Sequence, residues 1–261
     1  MFGKRGGLRM DDLKNIKFKD AQSEGSAWCQ NLFLSAAVLV DKLSSISHLF
    51  KNFGLCLNNI DRRQILTGSV CKKPAGLRRE ALWDLALTEL SRDKFIGIEL
   101  GVAWGYMTSY WVLKSSNIVA WHGFDTFTGL PDAWRHYSEG HFSNEGVPPD
   151  INDPRITWHI GLVQSTLINL HNLELNKHRV FISFDLDLFE PTFYALSQLV
   201  PQLKEGDLLY FDEPHDMDEG SLVHMLLKFN SDKLVVLGYT PCQLLLKVTG
   251  NSLRFPDFNA L

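Results

Sequence analysis

Long apolar runs are missing from this chain. Its most hydrophobic stretch near the start, residues 32–40, stops at Asp41 and Lys42. That is well short of the ~18 residues a membrane-spanning helix needs, so no membrane span is expected. The run begins about 30 residues in and no small-residue cleavage pattern follows it, which is unlike a secretion signal; the expected location is cytoplasmic. Cysteine is scarce too. Cys29, Cys56, Cys71 and Cys242 stand far apart and form no CxxC pair, which argues against a zinc ribbon and against a disulfide framework. Neither a clustered basic stripe nor a nucleic-acid-binding module is present, so no nucleic-acid partner is expected. Internal repeats and low-complexity tracts are also absent.

What remains is a chain of 261 residues, 45% hydrophobic and 21% charged. That suits one large α/β domain, or a domain of about 150–200 residues with an extension. The net charge of −4 is unevenly spread, with 14 Lys+Arg against 7 Asp+Glu in residues 1–80. A basic section of this kind is ordinarily a solvated helical face, and can also contact another subunit. Leu39, Leu43, Ile46 and Phe50 recur at helical steps before Gly54, and Leu82, Leu85, Ala86 and Leu90 do so over 77–90. Residues 1–92 therefore read as an N-terminal helical extension, a candidate homo-oligomer contact to which no chemistry is assigned. Residues 93–261 form the second unit.

From residue 93 onward strands and helices alternate. Strand-like runs cover 95–100, 118–124, 156–160, 180–185, 207–211, 234–238 and 243–248. Helical patterns fill 106–114, 192–203 and 221–229, with Pro191 suited to a first turn. The last two strands are joined by Tyr239, Thr240 and Pro241, too few residues for a crossover, so they run antiparallel. The expected fold is α/β, a Rossmann-like sheet of about seven strands, mostly parallel with one reversed. Residues 126–155 break the rhythm with four prolines and three glycines. A loop this long inside a compact domain is commonly functional, and its place after the second strand makes it a candidate substrate lid, with His136, Tyr137, His141 and Phe142 as candidate contacts.

The chemistry concentrates at strand ends. The fourth run stops on Asp185 and Asp187, and if the backbone stays extended both face one side. The fifth ends in Asp212 and Glu213. Paired acids closing two buried strands suggest a hard cation held by oxygen ligands. The first run leads through Glu99, Gly101 and Gly105 into a helix, a spacing unlike the G-x-G-x-x-G of dinucleotide sites. Asp125, closing the second run, is placed to accept hydrogen bonds from ribose hydroxyls.

These residues together resemble the class I S-adenosylmethionine-dependent methyltransferases, and more narrowly the macrocin-type O-methyltransferases of macrolide sugars. The likeness rests on Glu99-Leu100-Gly101-Val102, on 124–131 (Phe-Asp-Thr-Phe-Thr-Gly-Leu-Pro), on 185–192 (Asp-Leu-Asp-Leu-Phe-Glu-Pro-Thr) and on Phe211-Asp212-Glu213, and spans about 94–248. It implies that Glu99 and Gly101 hold the methionine end of S-adenosylmethionine, with Gly105 and Thr126 among its contacts and Asp125 on its ribose. It also implies that Asp185, Asp212 and Glu213 bind Mg²⁺ and that Asp187 sits beside the hydroxyl of a small-molecule or glycan acceptor. The chain departs from the family pattern at Asp212-Glu213-Pro214-His215, where Asp-Asp-Tyr is usual, and at Ala103-Trp104, where glycine-rich sequence is common.

A hydroxyl needs a base to become a nucleophile at neutral pH. Asp187 is the first choice and His215 the alternative; equally, Asp187 can cap the following helix and His215 can hydrogen-bond within its loop. Two rivals stand beside methyl transfer. One is an Asp-x-Asp glycosyltransferase, which leaves Glu99, Asp125 and Asp212-Glu213 unexplained. The other is a non-catalytic methyltransferase-like binding protein.

Overall fold

The structure is a computed structural model that describes residue 75 and residues 78–257, apart from 173–174, 215–216 and 241. The helix expected over 27–53, with any subunit contact it makes, lies outside the described residues.

Seven strands form one sheet: β1 (Phe95–Leu100), β2 (Ile118–Asp125), β3 (Ile156–Ile160), β4 (Arg179–Phe184), β5 (Leu208–Phe211), β6 (Leu234–Tyr239) and β7 (Leu244–Val248). Their order is β3-β2-β1-β4-β5-β7-β6. The first five run parallel, and β7 is antiparallel to both β5 and β6. This is the expected Rossmann-like α/β sheet with one reversed strand. β1 and β5 are buried along their whole length, as unalternating apolar runs require.

Helices cover both faces. On one lie α1 (Arg79–Glu89) and α2 (Tyr106–Lys114), whose Trp83 and Trp111 pack with Phe95, Trp121, Phe181 and Tyr210. On the other lie α3 (Val163–Thr166), α4 (Phe189–Leu199) and α5 (Met217–Phe229), whose Phe193, Leu222 and Leu226 pack on Ile98, Ile182 and Phe211. Each fully buried side chain of this size stabilises by about 1.5–3 kcal/mol. Leu82, Trp83, Ala86 and Leu90, which precede the boundary expected at 92/93, pack in the same core as Phe95, Trp111 and Trp121. Helix α4 starts three residues before its expected position, since proline is tolerated in a first turn. It ends at Leu199, where Pro201 tightens the chain into a 3₁₀ turn. Among the described residues no helix is long and apolar enough to cross a membrane.

Candidate active site

The strand order turns back between β1 and β4. Open α/β sheets bind ligands beyond the strand carboxyl ends at such a reversal. Backbone bonds stitch these ends together here. Gly101 N–H donates to the Phe124 carbonyl (2.9 Å), Asp185 N–H to that of Leu100 (2.9 Å), and Asp212 N–H to that of Phe184 (3.1 Å).

Gly101 is the closest approach in the crevice. Its φ is +87°, and a Cβ there would lie 1.8 Å from the carbonyl oxygen of Asp185. The chain then turns through Ala103 (φ 47°) and Gly105 (φ 76°) into α2, which begins without a side-chain cap. The opening of a helix at a crevice suits a carboxylate, through its backbone amides and its dipole.

Asp125 braces this turn. Its Oδ2 accepts the Val102 and Ala103 N–H groups at 2.8 Å each, and Oδ1 accepts that of Phe127 at 2.7 Å. A carboxylate has about four lone-pair sites, so room remains on Oδ1 for one ribose hydroxyl rather than two. Thr126 works within the loop: its hydroxyl donates to the Gly129 carbonyl (3.1 Å) and accepts the Thr128 N–H (3.2 Å).

Glu99 faces inward and is only 2% exposed. Its carboxyl accepts from the Thr108 hydroxyl and from Trp121 Nε1 (2.8 Å), tying β1 to α2 and β2. In this arrangement it holds α2 in place beside the glycine turn. Burial pushes its pKa from 4.5 up to about 8, against the pull of its two donors. A raised acid contributes stability that is fully present below the unfolded value, near 4.5, and lost as pH rises through about 8. Glu99→Gln, neutral throughout, should therefore show a smaller fall in Tm than wild type between about pH 5 and 9. An equal fall in both would assign the pH dependence to the other buried acids, Asp185, Asp207 and Glu219, which burial also raises.

The acids at the ends of β4 and β5 gather with two arginines. Arg79 from α1 places Nη2 3.1 Å from Asp212 Oδ2 and Nη1 3.9 Å from Asp185 Oδ2. The other Asp212 oxygen accepts the Tyr210 hydroxyl at 2.7 Å. Glu213 turns away to Arg135, with Nη2 to Oε2 at 3.0 Å, and its N–H donates to Glu219 Oε2 at 3.0 Å. Glu219, on α5, is fully buried, and its Oε1 has no hydrogen-bond partner among the described residues. Desolvation, then the Asp212 and Asp187 charges, raise Asp185, while Arg79 pulls it down. Desolvation likewise raises Glu219, against the N–H bond from Glu213, with Asp187, Asp212 and Glu213 adding to the rise.

Asp187 belongs to this cluster but not by the expected route. β4 ends at Phe184 and Asp187 has φ +63°, so the extended backbone does not persist from Asp185. Aspartate is among the few residues that enter the left-handed region readily. Nor is Asp187 the cap of α4, since Leu188 holds that position without a side-chain cap bond. His215 lies outside the described residues.

The expected Mg²⁺ set is not assembled. Asp185 and Asp212 share a guanidinium and Glu213 is paired with Arg135. Among the described residues no three His, Cys, Asp or Glu side chains are grouped so as to hold a metal ion. These side chains, as arranged, do not fit the ion.

The loop 126–155 crosses the site. It leaves β2, yet its Arg135 reaches Glu213 beyond β5, so it spans the ends of β1 and β4, roughly three strand spacings of 4.8 Å. Its own Phe127, Leu130 and Trp134 are buried. Arg155 anchors its far end on the Val112 (2.6 Å) and Ser115 (2.5 Å) carbonyls. Tyr137 stacks between Trp134 (5.8 Å) and His141 (4.4 Å) and meets Phe142 at 5.0 Å. Phe142 in turn meets Trp104, which is 43% exposed at the β1–α2 turn.

Arg79, Glu219 and Arg135 escaped the sequence reading, and one signal finds the first two. Arg79 is in helical phase with the buried Leu82, Trp83 and Ala86, and Glu219 with Leu222, Val223 and Leu226. A charge at i beside an apolar stripe at i+3, i+4 and i+7 points into the core. Both stand in the first turn of a helix that packs on the sheet, which brings them to the carboxyl edge.

No protein-family model matches this sequence, and no curated protein matches it either. Likeness to solved structures is found instead. The calicheamicin methyltransferase CalS11 is 20% identical, covers 94% of this chain and 99% of its own, and superposes with a TM-score of 0.50. A ligand-free structure of CalS11, a TDP-rhamnose 3'-O-methyltransferase of calicheamicin biosynthesis, gives 20%, 87%, 95% and 0.46 in the same order. An O-methyltransferase from Bacillus cereus in complex with SAH gives 15%, 81%, 97% and 0.43. The first of these likenesses supports the Rossmann-like α/β fold.

Proposed function

We propose that this protein moves a methyl group from S-adenosylmethionine to a hydroxyl of a sugar or natural-product acceptor. One observation carries the reading: the glycine turn from β1 into an uncapped α2 lies beside the Asp185–Asp187 cluster, at the reversal of the strand order. The donor set suits the cofactor. The opening of α2 suits its carboxylate, Asp125 Oδ1 suits one ribose hydroxyl, and Trp104 offers an exposed ring face. The sugar or natural-product acceptor is carried over from the sequence resemblance.

Bound S-adenosylmethionine supplies a methyl carbon made electrophilic by its sulfonium, which leaves as a neutral thioether. Asp187 takes the acceptor hydroxyl's proton as the oxygen bonds to that carbon, a contribution of about 10²–10⁴-fold. The loop 126–155 excludes water and aligns the acceptor against the turn. Arg79 and Arg135 balance Asp212 and Glu213, so in this arrangement the step draws on no Mg²⁺; the metal-assisted form expected from the sequence would need Arg79 to withdraw.

Calorimetric titration with S-adenosylhomocysteine and with a UDP-sugar, each with and without Mg²⁺, tests the proposal. Saturable binding of the first alone is expected. Asp125→Ala should weaken it by about 1–3 kcal/mol, since three N–H groups and one ribose hydroxyl lose their acceptor. Binding of the UDP-sugar alone would move the protein to the glycosyltransferases.

A further inference from the structure

We infer that Arg79 is the site's own cation: its guanidinium spans Asp185 and Asp212 and keeps a divalent metal ion from binding between them. The carboxylates close adjacent parallel strands, β4 and β5, and sit on the same sheet face as α1. Arg79 enters between them from the first turn of α1, 3.1 Å from Asp212 and 3.9 Å from Asp185. It is not a surface side chain that happens to fold over. Its helical phase with Leu82, Trp83 and Ala86 aims it at the sheet, and it is 28% exposed, where its neighbour Arg78 is 79% exposed and pairs with Glu80 instead.

Occupancy by metal and by guanidinium is mutually exclusive on two grounds. Mg²⁺ draws oxygens to about 2.0–2.1 Å in an octahedron, whereas a guanidinium holds its partners at hydrogen-bond distance and so keeps these two carboxylates further apart. A divalent ion placed there would also lie beside a fixed positive charge that Arg cannot shed. The other oxygen of Asp212 accepts from Tyr210, and the third member of the expected ligand set, Glu213, pairs with Arg135. Arg79 also ties α1 to the crevice, so the helix before β1 reports directly on the charge at the ends of β4 and β5.

The test is a Mn²⁺ titration followed by electron paramagnetic resonance, which uses neither cofactor nor acceptor. It therefore stands or fails separately from the methyl-transfer proposal, which the S-adenosylhomocysteine titration decides. Wild-type protein should show no saturable Mn²⁺ site. Arg79→Met, which keeps the apolar stem and removes the charge, should bind one Mn²⁺ roughly tenfold or more tightly than wild type. Adding Asp212→Asn to it should abolish that site. Circular dichroism checks the fold, and Arg79→Gln replaces the Met variant if the latter does not fold. A wild-type site that Asp185→Asn or Asp212→Asn removes overturns the inference. So does equal Mn²⁺ affinity in wild type and the folded Arg79 variant, including no binding in either.

Discussion

Asp187→Asn should lower turnover by about 10²-fold or more while leaving S-adenosylhomocysteine affinity nearly unchanged. The substitution is clean for a backbone reason. Asp187 has φ +63°, and Asn is one of the few residues that tolerates that conformation as well as Asp does. The turn between β4 and α4 should therefore keep its shape while the side chain loses its ability to accept a proton. Its charge reaches Asp185 and Glu219, which puts it at the mouth of the cluster rather than out along α4. Separate measurements of kcat and of ligand affinity distinguish loss of a base from loss of a binding contact. His215→Ala should cost much less; the reverse order would give His215 the role, and near-normal turnover in both variants would leave the reaction without either base.

Gly101→Ala should be the most damaging added methyl group among the described glycines. The added Cβ would meet the Asp185 carbonyl oxygen at 1.8 Å; that oxygen is a backbone atom, and a Cβ has no torsion by which to move away. The Asp185 N–H is simultaneously bonded to the Leu100 carbonyl, so separating the two strand ends breaks a ladder bond. Adding the cost of a left-handed alanine to that of overpacking gives about 2–5 kcal/mol of lost stability. Gly105→Ala meets only the side chains of Ile151 and Pro149, at 2.8 Å, and should be the milder of the two. Chemical denaturation of both variants checks the order, and a Gly101→Ala loss under about 0.5 kcal/mol would mean the β1 and β4 ends are not locked together.

Strands buried on both faces were legible because their apolar runs are short, unalternating and rich in Ile, Val and Phe, which suits a doubly covered strand. The antiparallel last pair followed from its short connection, whereas the strand order β3-β2-β1-β4-β5-β7-β6 comes from the folded sheet alone. The site was legible only where chemistry and strand ends coincide. Asp185 and Asp212 hold their expected places, since each is the first residue past a buried strand. Asp187 joins Asp185 through a left-handed turn rather than through the alternation of an extended strand, which ends at Phe184. Asp125 was read as a ribose acceptor, but strand-end acids also satisfy nearby amides, and three such bonds depend on folded geometry that no spacing encodes. Arg79 was hidden by distance along the chain, and by the assignment of residues 1–92 to a section without chemistry. Its stripe with Leu82, Trp83 and Ala86 was present in the sequence all the same.

Hydrogen–deuterium exchange with and without S-adenosylhomocysteine tests most directly whether the β1–α2 turn seats the cofactor. Added ligand should slow exchange at the amides of residues 101–107 and over the loop 126–146, with little change at β6 and β7. No protection at residues 101–107, or protection confined to the β6–β7 end of the sheet, would contradict the assignment.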